Sequence, residues 1–282
     1  AKCLEYSISS FTKGYASQRN AMEPYKDFDA IPISTDPPYY DNIEYADLSD
    51  YFYIWMRRIL IDIYPNVFDT ILVPKSDELV ASPFRYPKND NASRFFEIGL
   101  RKSFQNIRKI ISQEIPFTVF YAFKQEEITI ENGISSSGWE TMLKGLMDSG
   151  FQIVGTWPIR TERDQGLKTG SNVLASSIVL VCRPKIKSNK WVSRRDFILH
   201  LRENLPKSLQ EMQSGSIAPV DLAQAAIGPG MGVYSRYEKV LEPNGEALTV
   251  RTALQLINQV LDEFLAEQEG EMDQASRFAV AW

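Results

Sequence analysis

Two consecutive prolines, Pro37 and Pro38, constrain this chain more than any other feature, because they follow a short apolar stretch around Ile31 and Ile33. Each fixes φ at about −65°, lacks an N–H and drives the residue before it into extended geometry. Neither a helix nor a strand ladder continues through them, so Ala30 to Thr35 reads as a strand that must end in a turn. Asp36 and the carbonyls beside it are thereby held in one orientation, a preorganised group of acceptors. Beyond the turn, Leu48, Phe52, Trp55 and Ile59 recur at helical spacing, with Asp47 placed to cap and Arg57-Arg58 near the end. The order is strand, rigid turn, helix.

The residues Asp36-Pro37-Pro38-Tyr39 match the DPPY motif of S-adenosylmethionine-dependent amino-methyltransferases, which act on N6 of adenine or N4 of cytosine. The longer run TDPPYYDNIEYADLSDYFYIWMRR, Thr35 to Arg58, resembles a family of predicted adenine-specific DNA methylases, some of which carry a zinc ribbon. Two further blocks, Thr156 to Pro184 and Ala226 to Leu241, look similar to the same family, so the resemblance covers most of the chain from about residue 30. It implies S-adenosyl-L-methionine as cofactor, DNA as partner and adenine N6 as the methylated amine.

The chemistry explains the motif. An exocyclic amine is a poor nucleophile because its lone pair is delocalised into the ring. The Asp36 carboxylate and the Pro37 carbonyl, accepting its two hydrogens, favour the pyramidal nitrogen that forms during transfer, and Pro38 keeps the turn rigid. Tyr39 offers a flat face to a base taken out of its stack, a contact of about 1–3 kcal/mol by analogy with single-strand binders. On this reading the face matters and the hydroxyl does not. Tyr40 and Asn42, next in the turn, are assigned with Tyr39 to substrate binding, and Thr35 and Asp36 to part of a cofactor site. The bland alternative is a proline-punctuated loop of any α/β protein.

The composition, 44% hydrophobic and 24% charged over 282 residues, is that of an ordinary globular chain. No apolar run is long enough for a membrane span and no signal-peptide layout is present, so no membrane partner and a cytoplasmic location are expected. Two cysteines and a single histidine, His200, do not make a zinc site and argue against Ser-His-Asp or Cys-His hydrolysis. No Pro-Cys dipeptide supplies the nucleophile that methylation at cytosine C5 requires. The net charge of −5 hides a split. Bases from Arg183 to Arg195 run without an acid and acids from Asp262 to Asp273 without a base, which suits either one nucleic-acid face or two solvated segments.

Along the chain, residues 1–29 read as loop-rich. Phe96, Leu100, Phe104, Ile107 and Ile111 mark a helix, Phe117 to Phe123 a buried strand, and Gly138 to Gly150 a helix with Met142, Leu143 and Leu146 inward. Phe151 to Trp157 and Ala175 to Arg183 read as two more strands. With the Pro65 to Asn91 stretch as a long loop, the order matches an α/β fold. It matches the second half of the Rossmann-like methyltransferase sheet that the resemblance implies, last strand antiparallel, spanning residues 30–190. Ligands in such sheets bind outside the carboxyl ends of the parallel strands. The DPPY turn, the loop Lys124 to Ser137 and the loop Arg160 to Leu174 are expected to meet there, with Arg160, Arg163 and Lys168 reading phosphates. Residues 191–282 read as a helical subdomain: Ser193 to Asn204, Pro219 to Ala226, Met231 to Leu241 and Thr249 to Glu269, the middle pair broken at Gly228-Pro229-Gly230 and the last with Val250, Leu254, Ile257, Leu261 and Phe264 on one face.

A complete enzyme of this class needs a glycine-rich strand-turn for the cofactor, and none precedes the DPPY turn. Gly228, Gly230 and Gly232 invite that role, but the preceding PVDLAQAA reads as helix and Pro229 stiffens the turn. The chain is therefore expected to be a catalytic-motif fragment, inactive alone, whose Ile31 to Thr35 strand is a sheet edge covered by the N-terminal residues or a second copy of the chain. Two alternatives stand beside this: a catalytically incomplete nucleic-acid- or partner-binding module of the same fold, and an RNA or protein amine methyltransferase, whose turns are usually of NPPY type.

Overall fold

A computed structural model describes residues 14, 17–41, 43–86, 89–121, 137–160, 176–185, 190–214 and 219–271. In chain order the elements are β1 (Ser34–Thr35), α1 (Tyr45–Leu60), α2 (Pro65–Phe68), α3 (Asn89–Ile110), β2 (Phe117–Tyr121), α4 (Ser137–Asp148) and β3 (Phe151–Arg160). There follow β4 (Ser176–Pro184), β5 (Trp191–Ser193), α5 (Arg194–Ser214), α6 (Pro219–Ser235), β6 (Lys239–Leu241) and α7 (Val250–Glu271). The chain is mixed α/β and forms two compact units, one of Pro24–Glu44 with Leu79–Trp282 and one of Ala1–Glu23 with Tyr45–Glu78.

The first unit holds a four-stranded sheet of order β1-β2-β4-β3. β1 runs parallel to β2, and β4 is antiparallel to both of its neighbours. The last strand of the sheet in the chain is therefore the antiparallel one, inserted between the two that precede it. Register aligns Phe117, Cys182 and Ile153 in one cross-strand row and Val119, Leu180 and Thr156 in the next, so these side chains share a face. A bulge at Val154 shifts the parity of β3, which is why Ile153 before it and Thr156 after it point the same way. Phe104 of α3 packs edge-on against Phe117, and Trp139 of α4 against Tyr121. The apolar stripes read from the sequence on α3, α4 and α7 are all buried. Gly150, at φ +83°, ends α4 in the left-handed conformation that glycine adopts most readily.

Beyond residue 190 the structure corrects two expectations. Two short strands, β5 and β6, pair in parallel where only helices were expected. The helices there also share one buried core with the sheet, Phe197, Leu201, Leu205 and Leu209 of α5 included. α5 itself continues through Pro206 because this leucine stripe continues.

The larger correction is α6, a single helix through Gly228-Pro229-Gly230 where a break was expected. Proline at 229 has no N–H for the carbonyl of Ala225, four residues back, which normally leaves an orphan acceptor. The Thr156 hydroxyl of β3 donates to that carbonyl at 3.2 Å. Gly228 lets it come so close: a Cβ there would stand 1.7 Å from Thr156 Cγ2. Gly230 makes room in the same way for Ile257 of α7. Further along α6, the buried Ser235 hydroxyl accepts from the Ile153 N–H at 3.0 Å and donates to its carbonyl at 3.3 Å, satisfying both outward-facing groups of that residue.

The second unit is described by α1 and α2. Tyr53 packs on Phe68 and its hydroxyl donates to Thr70 O at 3.0 Å. Asp50 accepts from Val73 N at 2.9 Å and from Lys75 Nζ at 2.7 Å, and the lysine holds its carboxyl below the usual range. These contacts clip residues 69–75 along α1. The inward face is thus Ala46 and Tyr53 with Asp50, and the expected stripe of Leu48, Phe52, Trp55 and Ile59 is exposed. Asp47 lies in the first turn, inside the helix and not at its cap.

The α6 arrangement makes a test. Thr156→Val orphans the Ala225 carbonyl and should lower unfolding free energy by about 1–3 kcal/mol in urea denaturation. In a Pro229→Ala background the new N–H takes over that carbonyl, and the same threonine substitution should lose less than half as much. Equal losses in both backgrounds would refute the account.

Candidate active site

β1 runs parallel beside β2, and the DPPY turn follows the carboxyl end of β1. Asp36 is exposed, whereas Pro37, Pro38 and Tyr39 are half-buried. The Tyr39 hydroxyl donates to Asp36 Oδ1 at 2.7 Å. Its ring meets Tyr121, the last residue of β2, edge to face at 5.3 Å, and Tyr121 meets Trp139 at 5.2 Å in the same manner. A row of three aromatic rings therefore ties the turn to α4. The hydroxyl, dispensable in the sequence reading, here fixes the carboxylate.

Tyr40 faces elsewhere. Its backbone is left-handed at φ +53°, its ring packs on Phe96 of α3 at 5.2 Å, and its hydroxyl lies 2.7 Å from Ser93 Oγ. Its carbonyl accepts from Ala81 N at 3.0 Å. These contacts make it an anchor for the turn. Ser82 and Glu44, hydrogen-bonded to one another, close the turn from the other side. The Thr35 hydroxyl donates to Thr118 O across a long 3.4 Å contact, and the Thr118 hydroxyl donates to Ser34 Oγ at 2.9 Å.

Asn42, Arg163 and Lys168 lie outside the described residues, as do the loops expected to meet the turn, and Arg160 is the last residue of β3. Sequence reasoning passed over Tyr121 and Trp139 as site residues, although the end of a strand parallel to β1 was the place to look. Gly228, Gly230 and Gly232 sit inside α6 against Thr156, Ile257 and Ile153, so they do not cradle a cofactor. Of the residues expected to form part of a cofactor site, Thr35 ends β1 and Asp36 follows it, exposed.

Several charges of the Arg183 to Arg195 run serve the fold. Arg183 donates to Glu114 O at 2.9 Å, Lys185 to Tyr237 O at 2.6 Å, and Arg194 pairs with Glu242 at 3.2 Å. Burial of Lys185 lowers its ammonium pKa, the mark of a cation enlisted by the interior. On the acidic side, Glu263 is gripped by both Arg202 nitrogens at 3.0 Å. Cys182 is fully buried in the sheet, and burial pushes its thiol far up, which removes it as a nucleophile. His200 stacks on Tyr237 and shares a 2.8 Å hydrogen bond with its hydroxyl. Among the described residues no cluster of side chains could hold a metal ion, and no helix is long and apolar enough to cross a membrane.

No protein-family model, no curated protein and no solved structure matches the chain.

Tyr39 separates two effects. Tyr39→Ala loses the ring contact with Tyr121 and should destabilise the protein by about 1 kcal/mol. Tyr39→Phe keeps the ring and gives up an exposed hydrogen bond, so its unfolding midpoint should stay within about 0.5 kcal/mol of wild type. Thermal denaturation of both variants checks this.

Proposed function

We propose that this chain carries the target-amine half of an S-adenosylmethionine-dependent DNA methyltransferase acting on adenine N6. The observation that carries the reading is the Asp36-Pro37-Pro38-Tyr39 turn at the carboxyl end of β1, with an exposed carboxylate steadied by the neighbouring phenol. The strand order, with its antiparallel strand between β2 and β3, is consistent with the second half of a methyltransferase sheet.

The cofactor would supply an electrophilic methyl group. Asp36 and the Pro37 carbonyl accept the two hydrogens of the amine and draw its lone pair out of the ring, and Asp36 is the natural acceptor for the released proton. Tyr39 holds the carboxylate in place through its hydroxyl while offering what remains exposed of its ring to the base. The packed glycines of α6 favour a second reading, a module of this fold that does not turn over alone.

In the full-length protein, Asp36→Ala should abolish single-turnover transfer from labelled S-adenosylmethionine to adenine in DNA, with cofactor affinity within about tenfold of wild type. Tyr39→Phe should slow transfer by about tenfold without loss of DNA affinity, as expected of a residue that acts through another. Wild-type rates in Asp36→Ala would remove the assignment. Charge reversal of Arg160, Arg163 and Lys168 should weaken binding to all DNA sequences alike and reduce its salt dependence. An unchanged salt slope would move the DNA contact away from that loop.

A further inference from the structure

α1 is apolar on two sides. Ala46 and Tyr53 face inward, and about 140° away Leu48, Phe52, Trp55 and Ile59 form a stripe no wider than about 60°. They are 65%, 64%, 59% and 74% exposed, and Tyr51 and Met56 flank them, also exposed. A helix with two apolar faces is built to be buried on both.

The charges say by what. Asp47 and Arg58 lie within about 20° of one another on a single flank of the stripe, three turns apart at opposite ends of the helix. In an antiparallel pair of identical helices each flank meets itself reversed, so the acid of one copy comes beside the arginine of the other at both ends. A parallel pair would instead bring the two Arg57-Arg58 ends together. The apolar stripe has nearly the same centre, one residue further along: about a point between Tyr53 and Ile54, Phe52 falls opposite Trp55, and Leu48 opposite Ile59. We infer that α1 is a homodimerisation element that pairs antiparallel with α1 of a second copy of this chain, an isologous two-fold contact. Arg58, now lying over the Trp55 ring at 5.9 Å, sits at its rim. The inference stands apart from the proposed methyl transfer and needs no part of the DPPY turn.

Sedimentation equilibrium of the intact chain at tens of micromolar tests it. The wild type should be a dimer, and Ile59→Glu or Trp55→Glu should raise the dissociation constant at least about tenfold. These side chains are exposed in the single chain, so far-UV dichroism should not move, nor should the unfolding midpoint at concentrations well below the wild-type dissociation constant. Asp47→Arg and Arg58→Asp should each weaken the dimer, and the two together should restore it to within about threefold of wild type, since the swap exchanges both partners of both pairs. A monomeric wild type, a dimer indifferent to Ile59→Glu, or a double variant no better than the single ones would overturn the inference. A wild-type monomer that takes up another macromolecule on this face counts against it equally.

Discussion

A proline in the middle of a helix needs something outside the helix to replace the hydrogen bond that it removes, and here a threonine on a neighbouring strand does so. Pro229 leaves the Ala225 carbonyl open, Thr156 fills it, and Gly228 is the gap through which Thr156 reaches. The three residues lie far apart in the chain and work only together. They fix where α6 lies along β3, which sets the Ser235 hydroxyl against Ile153 and the small face of Gly230 against α7. The bulge at Val154 belongs to the same device, because without its shift of parity Thr156 would face away from the helix.

The DPPY turn is secured by the opposite strategy, many modest contacts in place of one unusual one. Its prolines fix the backbone, Tyr40 anchors it to α3 by ring and hydroxyl, and Tyr39 leans on Tyr121. The carboxylate at its tip stays exposed, although its neighbours are packed. A turn with this distribution of order presents one acceptor group to solvent in a fixed direction, which is the property that the proposed chemistry uses.

Wherever one apolar face repeated at a single period, the sequence was enough to place the element. The residues that the spacing indicated on α3, α4 and α7 are buried, and the strand that leads into the prolines ends at Thr35. Legibility failed where a partner distant in sequence decides the outcome. Helical continuity at Pro229 depends on Thr156, about seventy residues earlier, and no local pattern records that. On α1 the spacing found the more hydrophobic stripe, whereas Asp50, Tyr53 and Lys75 chose the inner side through polar contacts that periodicity does not see. Within the candidate site the acceptors were legible because proline chemistry is local. The second task of the Tyr39 hydroxyl was not, since it depends on how a ring settles against another strand.

The sheet has two borders treated in different ways. At β3 the outward amide and carbonyl of Ile153 are already bonded to Ser235, the bulge at Val154 bends the border away, and Pro158 has no N–H to give. Edges so finished refuse a further strand. Beyond β1 no strand pairs among the described residues, and its two-residue run carries none of these blocks. Among the described residues the sheet is thus a ladder with one closed rail and one open rail. Among the described residues the border left to a chain that lengthens the sheet by backbone pairing adjoins Asp36, so growth of the sheet and furnishing of the site would be one event.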